Sequence, residues 1–200
     1  KLKESAGKLT VVIDPGHGGK DPGAVGKENG KADLYEKDLN LDISNMVNEI
    51  LQNSGYTAIM TRTTDVYLEL SERADIANKN GADIFVCIHN NSYTAPSVNG
   101  SQVYYYASEG QTDNVFSGKM LATFIQDELV SALGTTDRGI SNGSRYYVIK
   151  NTNMPAVIVE GAFITNVGDK AILKSYTGRL NMAKAIANGI IKALNYIAQS

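Results

Sequence analysis

The stretch "VVIDPGHGGKDPGAVG", residues 11–26, opens as an apolar β-branched run and breaks into glycine, proline and aspartate around one histidine, His17. The run has the length and character of a buried strand. The backbone beyond it has unusual freedom, because glycine reaches conformations that other residues avoid. A buried strand that ends on a histidine in such surroundings is the feature around which the rest of the chain can be read.

Working outward, "LTVVID" is the first candidate strand. After a polar, glycine-rich loop, "EKDLNLDISNMVNEILQNSG" places Leu39, Ile43, Met46, Val47 and Ile50 at helical spacing, with Gly55 as a natural stop. "YTAIMTR" reads as a second strand, "LSERADIANKNG" as a second helix ending at Gly81, and "DIFVCIH" as a third strand. The unbroken apolar run of that third strand predicts burial on both faces, so the three strands are expected to be parallel. Beyond a polar loop around "NNSYTAPSVNG" come "SQVYYYAS", a helical stretch over about 114–133, the runs "YYVIK" and "AVIVE", and a C-terminal helix from about Leu180. The tyrosines of "VYYYAS" alternate, so one side is expected to pack and another to face a cleft. Strands alternating with helices define an α/β layered domain. No internal repeat, linker or low-complexity segment interrupts it.

Composition narrows the functional classes. A chain of 200 residues, 42% hydrophobic and with net charge −2, has enough apolar material for a proper core, and a single domain over residues 1–200 is expected. The 19 basic and 21 acidic residues form no block of like charge, which argues against nucleic acid as a partner. No apolar run approaches the ~20 residues of a membrane span. The opening "KLKESAGKLT" lacks the apolar stretch of a signal peptide, so the chain reads as a mature or excised piece. Cys87 is the one cysteine. It rules out an internal disulfide without fixing a compartment, and its apolar strand makes it a small core residue rather than a nucleophile.

The sheet decides where the polar residues go, because ligands of open α/β sheets sit beyond the carboxyl ends of the strands. "VVID" leads to His17, "DIFVCIH" ends on His89 and "AVIVE" ends on Glu160, while Glu36 stands at the start of the first helix, on the same edge. His17 and His89 are the only histidines in the chain. Two neutral imidazoles and one carboxylate make a three-ligand zinc site with a fourth position open, and a further carboxylate could then act as general base. Asp14 or Asp21 could orient His17. Each residue also has an ordinary reading: a hydrogen-bonded histidine at a strand end, or an acidic first-turn residue favoured by the helix dipole at Glu36. Glu160 is harder to explain so, since a carboxylate directly after "PAVIV" heads into a buried sheet, where an unpaired charge is costly. The glycine loop matches neither G-x-x-x-x-G-K-[ST] nor G-x-G-x-x-G, so nucleotide binding is not expected.

Taken in order, "VVIDPGHGGKDPGAVG", "EKDLNL", "TRTTD", "LSERADIAN", "DIFVCIHNN", "RG" at Arg138 and Gly139, and "PAVIVEGAFITN" resemble the motifs of the family 3 N-acetylmuramoyl-L-alanine amidases, from about Leu9 to the C-terminal helix. The resemblance implies a three-layer α/β/α fold around a twisted, mostly parallel sheet of about six strands. It also implies a secreted, zinc-dependent peptidoglycan hydrolase, an autolysin or lysin acting outside the cell or in the wall, with one zinc ion per chain. By position in the motifs, the metal ligands fall on His17, Glu36 and His89 and the catalytic glutamate on Glu160, with Arg138 and Asn91 as candidate substrate contacts. A monomer cut from a longer cell-wall protein is expected. Two departures stand out: similar proteins commonly read "SIHAN" where this chain has "CIHNN", and Ala162 stands before the phenylalanine where a glycine is frequent. The loop between His89 and "SQVYYY" is too short for the helical insertion that covers the site in some relatives, so an open cleft is expected. Two other readings share the cleft: a muropeptide-binding module that does not cleave, and a zinc peptidase cutting within the stem peptide.

Overall fold

The first strand, β1 (Thr10–Pro15), is buried along five of its six residues and lies inside a six-stranded sheet. The structure, a computed structural model, describes residues 8–107 and 116–199. From β1 the chain runs through a small antiparallel hairpin, β2 (Val25–Glu28) and β3 (Lys31–Tyr35), into α1 (Glu36–Asn53). Then come β4 (Thr57–Met60), α2 (Leu70–Lys79), β5 (Ile84–Asn91), β6 (Ser101–Tyr105) and α3 (Gly118–Leu133). The chain closes with β7 (Asp137–Asn142), the single-turn α4 (Tyr147–Lys150), β8 (Ala156–Phe163), α5 (Val167–Lys174) and α6 (Tyr176–Ile197).

The sheet order is β4-β1-β5-β8-β6-β7, with the first four strands parallel and only the β8–β6 pairing antiparallel. This is the expected six-stranded, mostly parallel sheet, and the pleat sorts its side chains cleanly between two layers. Val11, Ile13, Ile84, Val86, Ile88, Val157 and Val159 face the larger core, shared with α1, α3 and α6. Val12, Phe85, Cys87, Ala156 and Ile158 face a smaller one with Ala77 of α2 and Val148 and Ile149 of α4. By the same parity Asp14, His89 and Glu160 continue the rows that face the thinner layer. That is where a sheet can be open to solvent.

Several details differ from the sequence reading. "YYVIK" forms the helical turn α4 instead of a strand: Val148 and Ile149 are adjacent and both pack into the same smaller core, which two neighbours on one turn manage and strand residues facing opposite layers do not. The strand that does pair there is β7, "DRGISN", a polar edge strand without an apolar run to announce it. The C-terminal helix starts at Tyr176, capped by Ser175, whose hydroxyl accepts from the Gly178 amide at 3.1 Å. α3 begins at Gly118, and positions 114 and 115 of the expected helix lie outside the described residues. The alternation of "VYYYAS" holds, with Tyr105 against the larger core and Tyr104 and Tyr106 against the smaller. No helix among the described residues is long and apolar enough to cross a membrane.

Candidate active site

β1 and β5 are neighbours whose onward connections run apart, β1 toward the β4 edge and β5 toward the β6 side, so a crevice opens beyond their carboxyl ends. Into it come His17 from the loop after β1, His89 from β5 and Glu36 from the first turn of α1. Each offers a ligand atom, and these atoms lie within 4.8 Å of one another. The two imidazoles stand almost perpendicular, with centroids 4.7 Å apart and 80° between planes. Glu36 bridges them: Oε2 is 3.2 Å from His17 Nε2 and Oε1 is 2.9 Å from His89 Nδ1. The Ala24 amide donates to Oε2 at 2.7 Å and the Asn90 amide to Oε1 at 3.1 Å, fixing the carboxylate from both sides.

The glycines of the opening stretch now have a specific use. A Cβ on Gly16 would lie 2.2 Å from the His89 ring, and one on Gly23 would lie 2.5 Å from His17 Cδ2 and 2.6 Å from Glu36 Oε2. His17 itself is held at φ +60°, a left-handed conformation that costs a non-glycine residue roughly 1–3 kcal/mol and gathers at functional sites. Two things hold it there. Gly18 and Asp21 exchange backbone hydrogen bonds of 3.0 and 3.1 Å, and Asp21 Oδ2 pairs with His17 Nδ1 at 2.7 Å, leaving Nε2 to face the cluster.

Sequence reading offered Asp14 or Asp21 as the group that orients His17, and the structure assigns it to Asp21. Asp14 faces the same layer as His89 but is covered by α2, where it accepts from Arg73 Nη1 at 2.8 Å and from the Cys87 thiol at 2.9 Å. Arg73 also donates to the carbonyls of Pro15 and His17, both at 2.8 Å, while Arg62 donates to Pro15 (3.0 Å) and Gly16 (3.0 Å). Two buried guanidiniums thus grip three successive carbonyls of the loop that presents His17. Sequence reasoning missed them, although a signal existed: Leu70, Arg73, Ala74 and Ala77 share one face of α2, and an arginine in an apolar stripe must have buried partners. Replacing Arg73 with methionine is expected to destabilise the protein by about 3–5 kcal/mol, because it strands the Asp14 carboxylate in the interior. Urea unfolding measures this, and a loss below about 1 kcal/mol would show that Asp14 does not depend on Arg73.

Glu160 lies in register with His89 across the β5–β8 pairing, and its Oε2 is buried without a hydrogen-bond partner among the described residues. Burial pushes its pKa up to about 7, opposed by the histidines nearby and assisted by Glu36. Burial alone would discharge His17, yet the hydrogen bonds and charges of Glu36 and Asp21 hold it up at about 9, and His89 is raised by Glu36 in the same way. Glu36, though buried, is held well below the carboxylate range by the two rings.

These shifts have a sign in stability. A histidine raised from 6.5 to about 9 contributes stability that is complete below pH 6.5 and lost as pH rises through about 9. A glutamate raised from 4.5 to about 7 loses its contribution between those values as the unfolded chain ionises first. Both act in one direction. The melting temperature of chelator-treated protein is expected to fall steadily from about pH 5 to about pH 9, with added zinc restoring most at the alkaline end, where fewer ring protons compete. A flat or rising profile by calorimetry would contradict this reading of the cluster.

Both departures from the family pattern are accommodated locally. Asn90 Nδ2 donates to Asn40 Oδ1 at 3.0 Å, and the Asn40 amide donates to Gly16 O at 3.2 Å and Glu36 Oε1 at 3.3 Å, tying β5 and α1 to the loop. Ala162 is fully buried, while Gly161 is the position where a Cβ would strike Met182. The two candidate substrate contacts sit in one cavity with Glu160. Asn91 Oδ1 accepts from the Ser92 amide at 2.8 Å, and the Arg138 guanidinium lies 5.2 Å from the Phe163 ring centroid.

An α/β sheet whose strand ends converge two imidazoles and a carboxylate, with a second, unpartnered carboxylate beside them, belongs to the class of candidate metallohydrolase centres. Comparison with known proteins narrows the class. Residues 11–192 match the family model for N-acetylmuramoyl-L-alanine amidase. The chain is 41% identical over 191 residues to N-acetylmuramoyl-L-alanine amidase LytC of Bacillus subtilis, a match spanning 96% of this chain and 36% of that protein. It is 30% identical over 235 residues to the amidase AmiA of Escherichia coli, covering 98% of this chain and 80% of AmiA. Among solved structures it resembles the amidase AmiC2 of Nostoc punctiforme, with a TM-score of 0.83, 41% identity, and coverage of 93% of this chain and 97% of the other. The chain belongs to the N-acetylmuramoyl-L-alanine amidase family.

Proposed function

We propose that this domain hydrolyses the amide between N-acetylmuramic acid and the L-alanine of peptidoglycan stem peptides, with one zinc ion held by His17, Glu36 and His89 and with Glu160 as the catalytic carboxylate. The observation that carries the reading is the donor cluster itself: two imidazoles and a carboxylate within 4.8 Å, with a buried, unpartnered Glu160 oxygen beside them. The set suits zinc, which takes nitrogen and oxygen donors and leaves a fourth position open when three come from protein. When bound, the ion would polarise the scissile carbonyl and acidify the attacking water.

The chain's own residues supply the rest. Asp21 holds His17 in the tautomer that directs Nε2 inward. The Ala24 and Asn90 amides hold both Glu36 oxygens in place. Glu160, poised near neutral pH by burial, takes the proton of the attacking water and passes it to the departing alanine nitrogen, which leaves poorly unless protonated. Arg138 and Asn91 line the same cavity and are assigned to the substrate, Arg138 as a guanidinium suited to a carboxylate of the stem peptide. Action at the cell wall, outside the cytoplasmic membrane, and a monomeric state go with this reading.

Mass spectrometry of purified peptidoglycan after incubation with the zinc-loaded chain tests it. Free peptides beginning at L-alanine, with glycan strands intact, are the expected products. Cuts inside the peptide would make the protein a peptidase, and binding without cleavage would make it a wall-binding module.

A further inference from the structure

Two cavities flank the histidine pair, and their walls differ in chemistry. One, of about 290 Å³, is walled mostly by apolar side chains such as Leu68, Leu70, Tyr147 and Val148, with Asp21 and the paired Asp14 and Arg73 also on its lining. The other, of about 420 Å³, contains Glu160 and is rimmed by two arginines, Arg138 of β7 and Arg145 of the turn after it. Tyr146 borders both.

The arginine cavity is built to take an anion. Among the described residues neither Arg138 nor Arg145 is paired with a carboxylate, whereas Arg73 and Arg179 are. Among the described residues Glu160 is the only acidic one lining that cavity. Each guanidinium is set by an aromatic ring: Arg138 over Phe163 at 5.2 Å, Arg145 over Tyr146 at 4.9 Å. Arg145 also donates to the Tyr146 hydroxyl at 2.9 Å, and Arg138 to the Asn99 carbonyl at 3.3 Å. Stacking of this kind holds the fork in place and leaves donors for a planar oxyanion.

From this asymmetry, and resting on the amidase reading, we infer that the substrate lies across the site in one direction. The stem peptide enters the Arg138–Arg145 cavity, where the two guanidiniums grip the carboxylate of the acidic residue after L-alanine, and the sugar lies toward the apolar cavity. Charge sets the direction. On either side of the scissile amide the sugar is neutral and the peptide carries carboxylate, so only the peptide has a reason to occupy the cavity with unpaired guanidiniums. A carboxamide at that position accepts hydrogen bonds but lacks the charge. The pair therefore makes the enzyme discriminate between free and amidated stem peptides.

The test uses zinc-loaded protein and two substrates with the γ-carboxyl blocked as a methylamide, N-acetylmuramoyl-L-alanyl-D-glutamate γ-methylamide and its α-carboxamide counterpart, so that only the α-carboxylate differs. The wild type is expected to favour the carboxylate by about 10- to 100-fold in kcat/KM, the scale of a charge-assisted bidentate pair. Arg138→Gln and Arg145→Gln should each shrink that ratio, mainly through KM, the double variant should bring it near one, and Arg145→Lys should keep part of it. Equal rates on both substrates in the wild type would overturn the inference while leaving the amidase reading intact, as would a preference that survives in the double variant. Failure to cut either substrate, or polymeric peptidoglycan, would defeat the amidase reading itself and this inference with it.

Discussion

Replacing Glu160 with alanine is expected to lower kcat by roughly 10²–10⁴-fold, the span of a general acid–base contribution, without loss of fold or bound zinc. The residue sits within β8 with Oε2 buried and without a partner among the described residues, so the native structure gains little from keeping it. Removing an uncompensated carboxyl group from the interior should leave the melting temperature unchanged or slightly higher. Fold and function therefore separate at this position. Turnover of muropeptides, zinc by elemental analysis and a thermal melt on the same sample decide the matter. Turnover close to wild type would remove Glu160 from its assigned role.

Replacing His89 with alanine is expected to act on the metal instead. The substitution removes one of three donors and leaves Glu36 facing His17 alone. Losing a partner that merely supports a ligand typically weakens metal binding 10–100-fold, so loss of a ligand should exceed about 10²-fold, with hydrolysis falling alongside occupancy. The side chain is 21% exposed and lies at the open end of β5, so the fold should survive. Competition against a zinc-sensitive chelator dye gives the affinity. Full zinc occupancy in the variant would count against the ligand assignment.

Glu160 and His89 are both visible in the sequence, and the reasons are physical. A parallel strand buried on both faces must be apolar throughout, so the first polar group after "VVI", "FVCI" or "AVIV" marks where the chain leaves the sheet. His89 and Glu160 are those first polar groups, and His17 follows Asp14 by three residues, which puts all three at one edge of the sheet. Glu36 was legible only as the head of an amphipathic helix, and a helix dipole alone would have explained it.

Other parts of the site were not legible because their chemistry depends on residues distant in the chain. β7 is a polar edge strand, and its place beside β6 gives it the sheet's hydrogen bonds without an apolar run. "YYVIK" has strand-like composition, yet the thin layer over β8 takes Val148 and Ile149 from one helical turn. The choice of Asp21 over Asp14 as partner of His17 turned on Arg73 and Cys87, which occupy the two Asp14 oxygens.

By itself, then, the sequence determined the layered α/β class, the order of the central strands' helices, the four residues at the sheet edge and the family. Those come from local rules of hydrophobic period, turn chemistry and motif order, which act within a few residues of one another. Only the tertiary structure decided that the histidines meet over Glu36, that Arg62 and Arg73 grip the carbonyls of the loop that presents His17, and that Arg138 and Arg145 face a cavity without a carboxylate partner among the described residues. The pairings of Glu36 with the two histidines, of Arg62 with Gly16 and of Arg73 with His17 join residues 19 to 56 positions apart, and nothing local specifies a partner that folding alone brings within hydrogen-bonding distance.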